Sequence, residues 1–177
     1  MLRNWARFPD ARGGLAAVEF ALIAPVMLVT FFGLLELSMA LSCNTRVNNM
    51  ASTAADLVAQ ETAVSSSDTA NVFGAATAIL YPYATSGAKL VVSSLVDDGH
   101  GGAKVAWSDA QNGAPRTAGS SVSVPSGLIV SGSGGSVILA EITYAYTSPT
   151  LMVLSGPVTM KASFYSKPRR SLTVTHM

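Results

Sequence analysis

One apolar segment near the N-terminus limits what this chain can fold into more than any other feature. Between Leu15 and Leu41 almost every residue is apolar, and the only charges are those of Glu19 and Glu36. An α-helix needs about 20 consecutive apolar residues to cross the roughly 30 Å of hydrocarbon in a bilayer. The sequence therefore predicts a single transmembrane helix over residues 15–42.

The residues before this helix predict its orientation. Residues 1–14 carry Arg3, Arg7 and Arg12 against one acid, Asp10. Positive charge beside a membrane helix stays on the cytoplasmic side. We therefore expect a short cytoplasmic leader and a C-terminal domain on the other side of the membrane.

A glycine pair and a carboxylate mark the start of the apolar segment. Gly13 and Gly14, like Pro9 before them, disfavour a helix and predict an extended segment that a peptidase can reach. Glu19 lies just inside the apolar segment and is followed by Phe20. A charged side chain at the centre of a membrane helix costs about 2.5–3.5 kcal/mol, so residues of this kind usually have a function.

This pattern resembles the processing site of type IV prepilins, and the stretch AAVEFALIAPVML is similar to the TadE-like minor pilins, or pseudopilins, of the tight-adherence (Flp) pilus system. The resemblance implies cleavage by a prepilin peptidase between Gly14 and Leu15. It also implies that Glu19 and Phe20 act in assembly, where the carboxylate pairs with the N-terminal amine of a neighbouring subunit. The implied partners are the peptidase, other pilin subunits, the pilus assembly machinery and the membrane. The implied location is the bacterial inner membrane or the pilus itself.

Two other interpretations of the apolar segment stay open. A secretory signal peptide would be cut near Ser38 and Ala40, which form a small-x-small site, and would release an exported hydrolase or binding protein. An uncleaved anchor would instead hold a surface or adhesive domain at the membrane. The apolar run is longer than the usual core of a signal peptide, about 7–15 residues. The pilin interpretation is therefore favoured.

Composition narrows the function further. The net charge is +1 and charged residues make up 12% of the chain, against about 25% in an average soluble protein. No basic surface for nucleic acid is predicted. The single cysteine, Cys43, excludes intramolecular disulfides and multi-thiolate metal sites, and we expect it to be a small buried thiol.

Beyond the membrane the helix is predicted to continue as an amphipathic segment over residues 43–62. Apolar side chains recur there at helical spacing, at Val47, Met50, Ala51, Ala54 and Val58. The two parts together predict one helix from Leu15 to Thr62, about 70 Å long at 1.5 Å per residue. Pro25 removes one backbone hydrogen bond inside it and can kink it.

Residues 63–177 are predicted to form an extracytoplasmic α+β domain. It begins with a polar linker in which Ser67 or Asp68 caps a second helix over Thr69–Tyr81, and Pro82 ends that helix. Short runs with alternating polarity follow. They predict strands at Leu90–Val96, Ala103–Trp107, Val122–Val124, Leu128–Val130, Ser136–Thr147 and Val158–Tyr165.

These elements predict an α+β, pilin-like fold. The long N-terminal helix packs on one face of an antiparallel sheet of about four to six strands. The first two predicted strands flank a short loop and indicate a hairpin.

No set of residues predicts catalysis. Asp97, Asp98 and His100 are possible metal ligands, but the glycines around them favour a solvated turn. The serine-rich stretches lack the Gly-x-Ser-x-Gly pattern of a nucleophilic serine, and His176 has no predicted partner. We therefore predict a protein that is not an enzyme and has no catalytic residue, metal or cofactor.

Overall fold

A long N-terminal helix organises the fold in the computed structural model, which describes residues 12–129, 132 and 134–177. Helix α1 spans Arg12–Ala59, is 48 residues long and contains Pro25. The prediction of one continuous helix is confirmed, although its end lies at Ala59 rather than Thr62. Most of the predicted leader, including Pro9, lies outside the described residues.

The start of α1 differs from the prediction. The helix runs through Gly13 and Gly14, so the expectation that this pair leaves the backbone extended is wrong. A glycine inside a helix costs only about 1 kcal/mol relative to alanine. That penalty is too small to stop a helix in which alanine and leucine, both strong helix formers, are frequent.

The two halves of α1 face different surroundings. None of the residues in the apolar window of the first half is buried inside the protein. The second half turns one face to the core and buries Cys43, Val47, Met50, Ala51, Ala54, Ala55, Val58 and Ala59. The predicted amphipathic segment and the buried thiol are therefore confirmed.

The remaining chain forms one more helix and seven strands among the described residues. Helix α2 spans Ser66–Ala78. The strands are β1 Ala63–Val64, β2 Lys89–Asp97, β3 Ala103–Gln111, β4 Ser121–Val122, β5 Ser136–Tyr146, β6 Val158–Ser166 and β7 Thr175–His176.

Five of the strands make one antiparallel sheet in the order β4-β3-β2-β5-β6. Helix α1 packs on β5 and β6, and α2 packs beside α1. The predicted α+β fold is confirmed, and so is the hairpin formed by β2 and β3. Of the predicted strand Val122–Val124, only Val122 pairs, together with Ser121. In the predicted strand Leu128–Val130, Leu128 and Ile129 are bends and Val130 lies outside the described residues.

Successive side chains of β5 point to opposite faces of the sheet and contribute to two hydrophobic cores. Ile138, Ala140 and Ile142 face α1 and join the main core. Leu139 points to the opposite face, where it packs with Leu95 and with partly buried side chains of the loop that follows β4. On that outer face Arg116 donates to both carboxylate oxygens of Glu141, at 2.6 and 2.7 Å, which fastens the β3–β4 loop to the sheet.

Helix α2 begins three residues earlier than predicted. Its N-cap is Ser65, whose hydroxyl accepts from the Asp68 N–H, while the Asp68 carboxylate accepts from the Ser65 N–H at 2.9 Å. This reciprocal capping box satisfies two backbone donors, and it holds the pKa of Asp68 below its ordinary value. The helix ends at Ala78, so the prediction that Pro82 ends it is wrong.

A short parallel pair was not predicted. Strand β1 pairs with β7, with Ala63 opposite Thr175 and Val64 opposite His176. The sequence suggests only a polar linker here. Two-residue strands carry no readable alternation, and the partners lie at opposite ends of the domain.

Candidate functional site

The residues implied in processing and assembly lie on the first turns of α1. Gly14, Leu15, Glu19 and Phe20 are all exposed, and a Cβ atom added at Gly14 would meet no other atom within 4 Å. In the part of the chain that the structure describes, no ion pair forms with Glu19. The surface that the resemblance implies for contacts with other proteins is therefore exposed in the single chain.

Leu15 and Glu19 are one helical turn apart. Residues at i and i+4 lie on the same helix face, and the axial distance is about 6 Å at 1.5 Å per residue. The carboxylate therefore stands close to the position where cleavage after Gly14 would create an amine. The geometry suits a charge contact made at this end of the helix.

A second carboxylate, Glu36, is in the opposite situation. Its side chain is only 1% exposed, although the sequence marks it only as an interruption of the apolar run. It follows Glu19 on the same helix at an axial distance of about 26 Å. The loop between β5 and β6, residues 147–157, covers it.

Four hydrogen bonds hold the Glu36 carboxylate. The backbone N–H groups of Met152, Val153 and Leu154 donate to it at 2.7, 3.1 and 2.6 Å. The Thr150 hydroxyl is the fourth donor. An ionised carboxylate only accepts hydrogen bonds, so this set of donors fits its charged form, and such charge-assisted bonds are the stronger kind.

The covering loop exposes three apolar side chains. Leu151, Met152 and Val153 are 50%, 61% and 50% exposed. Val153 lies against α1, with its Cγ2 atom 3.6 Å from where a Cβ on Gly33 would stand. Leu151 has φ 51°, a left-handed conformation that is uncommon for a residue other than glycine.

The Asp97, Asp98 and His100 cluster stabilises its own turn. The Oδ1 atom of Asp98 accepts from the His100 and Gly102 N–H groups at 2.7 and 2.9 Å. These bonds lower the pKa of Asp98. In the described residues, no group of three or more histidine, cysteine, aspartate or glutamate side chains is placed to hold a metal ion.

His176 has a partner, so that prediction is wrong. Its Nε2 atom lies 2.9 Å from Oδ2 of Asp109, and its ring is 5.3 Å from that of Trp107. The same Asp109 oxygen accepts from the Thr69 hydroxyl at 2.6 Å. The side chains of Thr69, Asp109 and His176 therefore connect α2, β3 and β7.

These features define a class of protein. Among the described residues, Gly14–Ala59 is the one helix long and apolar enough to cross a membrane, and its second half is the core helix of an α+β domain. That arrangement is consistent with a membrane-anchored, pilin-like protein.

The comparison with protein families makes the assignment more specific. Residues 14–56 match the model of a family described as TadE-like protein. The matched segment is therefore TadE-like, as its resemblance implied, and relates the chain to components of the tight-adherence pilus. Comparisons with curated proteins and with solved structures give no match.

Proposed function

We propose that the protein is a minor pilin, or pseudopilin, of a tight-adherence pilus. Helix α1 anchors it in the bacterial inner membrane with the N-terminus in the cytoplasm. A prepilin peptidase removes residues 1–14, and the mature chain then joins other subunits. The observation that carries this proposal is the family match over residues 14–56, because it includes both the cleavage position and the apolar half of α1.

The exposed first half of α1 supports a membrane location. Large apolar side chains are exposed along its whole length, and soluble monomers rarely expose contiguous apolar patches beyond a few hundred Å². Lipid covers it before assembly, and the apolar helices of neighbouring subunits cover it afterwards. The chain acts as a substrate and a building block, and we propose no enzymatic activity or cofactor for it.

A test of processing uses Gly14→Leu. A larger side chain should crowd the peptidase subsite and leave a precursor heavier by about 1.5 kDa, taking roughly 110 Da for each leader residue. The matched control is Gly74→Leu on α2, where an added Cβ also meets nothing within 4 Å. Normal cleavage of Gly14→Leu, judged by intact mass, would contradict the proposed processing site.

A test of assembly uses Glu19→Gln, which keeps size and helix but removes the charge. A carboxylate near the membrane surface that pairs with a neighbour's amine avoids an unpaired buried charge and fixes axial register. Glu19→Gln should therefore be cleaved normally and fail to enter pili, whereas Glu61→Gln, exposed near the other end of α1, should assemble. Wild-type piliation of Glu19→Gln would refute the pairing role.

One observation favours a second candidate, an uncleaved single-span anchor for a surface or adhesive domain. Helix α1 continues without a break through the glycine pair, whereas a peptidase acts on an accessible, unwound backbone. N-terminal sequencing of the membrane-bound protein distinguishes the candidates, because an anchor would keep Met1 and a pilin would begin at Leu15.

The secretory alternative is disfavoured by the packing around its cleavage site. The Tyr83 hydroxyl donates to the Met39 carbonyl oxygen at 2.9 Å. Cleavage near Ala40 would remove that contact and also remove Glu36 from beneath its loop. A domain released in this way would lose two of its attachments to α1.

A further inference from the structure

We propose that the β5–β6 loop is a second membrane contact, in which Leu151, Met152 and Val153 enter the outer interface of the bilayer beside α1 and Glu36 holds them there. This inference rests on the proposed membrane location of α1. It assigns a lipid-binding surface to a part of the folded domain that lies far from the apolar segment in sequence.

The loop tip continues the apolar surface of the helix. Val153 lies beside α1 at Gly33, and the neighbouring helix side chains Leu34 and Leu37 are themselves exposed. The sequence from Ile142 to Met160 contains no charged residue. A surface that is continuous with a membrane helix and carries no charge suits lipid.

The positions of Glu19 and Glu36 along α1 indicate the depth of the β5–β6 loop in the bilayer. Residues between Glu19 and Glu36 carry no charge, and the axial distance of about 26 Å is close to the roughly 30 Å thickness of the hydrocarbon core. With Glu19 at the inner interface, Glu36 therefore lies at the outer one. A span over all of residues 15–42 would be about 42 Å long, which exceeds that thickness.

Tyrosines at the same level agree with this depth. Tyr83 bonds to the Met39 carbonyl oxygen, less than one turn beyond Glu36, and Tyr81 close to it is exposed. Tyrosine is enriched where the membrane meets water, because its ring is apolar and its hydroxyl is polar. The loop tip and these rings therefore face the same zone.

Glu36 provides hydrogen-bond acceptors for the loop backbone at the outer interface of the bilayer. Irregular backbone that enters lipid leaves N–H groups without hydrogen bonds, and each such group costs several kcal/mol. Here the consecutive N–H groups of residues 152–154 all donate to the carboxylate. The loop covers the Glu36 carboxylate, and the carboxylate accepts hydrogen bonds from the N–H groups of the loop. Both the charge and these N–H groups are therefore shielded from lipid.

The test places a fluorophore on the loop tip of the full chain. In a Cys43→Ala background, Val153→Cys is labelled with an environment-sensitive dye and reconstituted at one copy per nanodisc with bromine-labelled lipids, which quench nearby dyes. Leu28→Cys, in the middle of the apolar run, is the membrane control. His100→Cys is the aqueous control. His100 lies beyond the end of β5 that is opposite the β5–β6 loop. This strand has 11 residues, so the control site is about 35 Å or more from the loop.

The expected result is quenching at Val153 between the values for Leu28 and His100, with a blue-shifted emission. Quenching equal to that at His100, while Leu28 remains quenched, would overturn this inference and leave the proposed anchoring intact. Absence of quenching at Leu28 would refute the membrane location itself. A blue shift that needs two copies per disc, without lipid quenching, would indicate a protein contact and would also overturn the inference.

A second variant tests the holding role of Glu36. Glu36→Gln places an N–H₂ donor among backbone donors, so the loop should detach. The dye at Val153 should then lose its lipid quenching, while the dye at Leu28 keeps it. Unchanged quenching at Val153 would show that the loop reaches lipid without Glu36 and would overturn the assigned role.

Discussion

Replacing Met50 by alanine tests whether the second half of α1 is part of the domain core. Met50 is 0% exposed and is among the largest fully buried side chains. It lies on the face of α1 that packs on β5 and β6. Truncating a buried methionine to alanine usually costs about 2–5 kcal/mol, because burial is lost and a cavity remains. That loss is a large part of a typical total stability of about 5–15 kcal/mol.

The assay follows unfolding of the α+β domain in the full chain, in detergent micelles. Trp107 reports the native state because its Nε1 atom donates to the Val174 carbonyl oxygen at 2.8 Å. A Trp5→Phe background leaves Trp107 as the single tryptophan, since the chain has two. Urea titration should give a free energy of unfolding for Met50→Ala that is lower by about 2–5 kcal/mol.

The matched control is Asn49→Ala, one position away on the exposed face. Surface substitutions of this kind usually change stability by no more than about 0.5 kcal/mol. If Met50→Ala and Asn49→Ala unfold at the same urea concentration, the sheet is stable without the helix. The view that one helix serves both the membrane and the core would then be wrong.

Three further outcomes are expected. Glu36→Gln should speed hydrogen exchange of amides among residues 152–154, because one of the two acceptor oxygens becomes an N–H₂ donor, and unchanged rates at all three would exclude the carboxylate as the acceptor. Asp109→Asn should weaken the contact with His176 and speed exchange of the β7 amides, and protection equal to wild type would argue against this role. Asp98 has a lowered pKa in the folded state, so its stabilising effect is full above its ordinary pKa and is lost as the pH falls through the folded value. The difference in urea midpoint between wild type and Asp98→Asn should therefore shrink below about pH 4, and a constant difference would refute the assignment.

The parts of the fold that follow from local pattern were predictable. The apolar run gives the first half of α1, and the helical spacing of Val47, Met50 and Val58 gives the second. The alternation of β5 shows which side chains face the helix. Together these patterns determine the α+β arrangement, because an amphipathic helix and a half-buried sheet each need an apolar partner.

The Glu36 contact could not be predicted, and the reason is physical. Three of its four donors are backbone N–H groups, which every residue except proline carries. The residues that supply them, Met152, Val153 and Leu154, have side chains that give no sign of binding an anion. The one available signal was the carboxylate itself, which is costly near lipid and therefore needs partners.

Other differences arise where local signals are ambiguous or distant. Ser65 lies in a run of serines, each of which is a good N-cap residue, and only the reciprocal bond with Asp68 selects it. The pairing of His176 with Asp109 joins residues far apart in the chain, so no spacing rule indicates it. The processing and assembly roles of Gly14 and Glu19 stay predictions, because they concern contacts with other proteins.

The parallel pairing of β1 with β7 has a consequence for timing during export. For a chain that crosses the membrane from residue 43 onward, β7 is the last of the described elements to emerge. Until then Val64 lacks its strand partner, and the Val174 carbonyl cannot accept from Trp107. Under the topology proposed above, the α+β domain therefore closes only after translocation reaches these residues, whereas Gly14 stays on the cytoplasmic side throughout. In the proposed pilin, leader removal and domain closure are thus separate events, and a delay in one does not require a delay in the other.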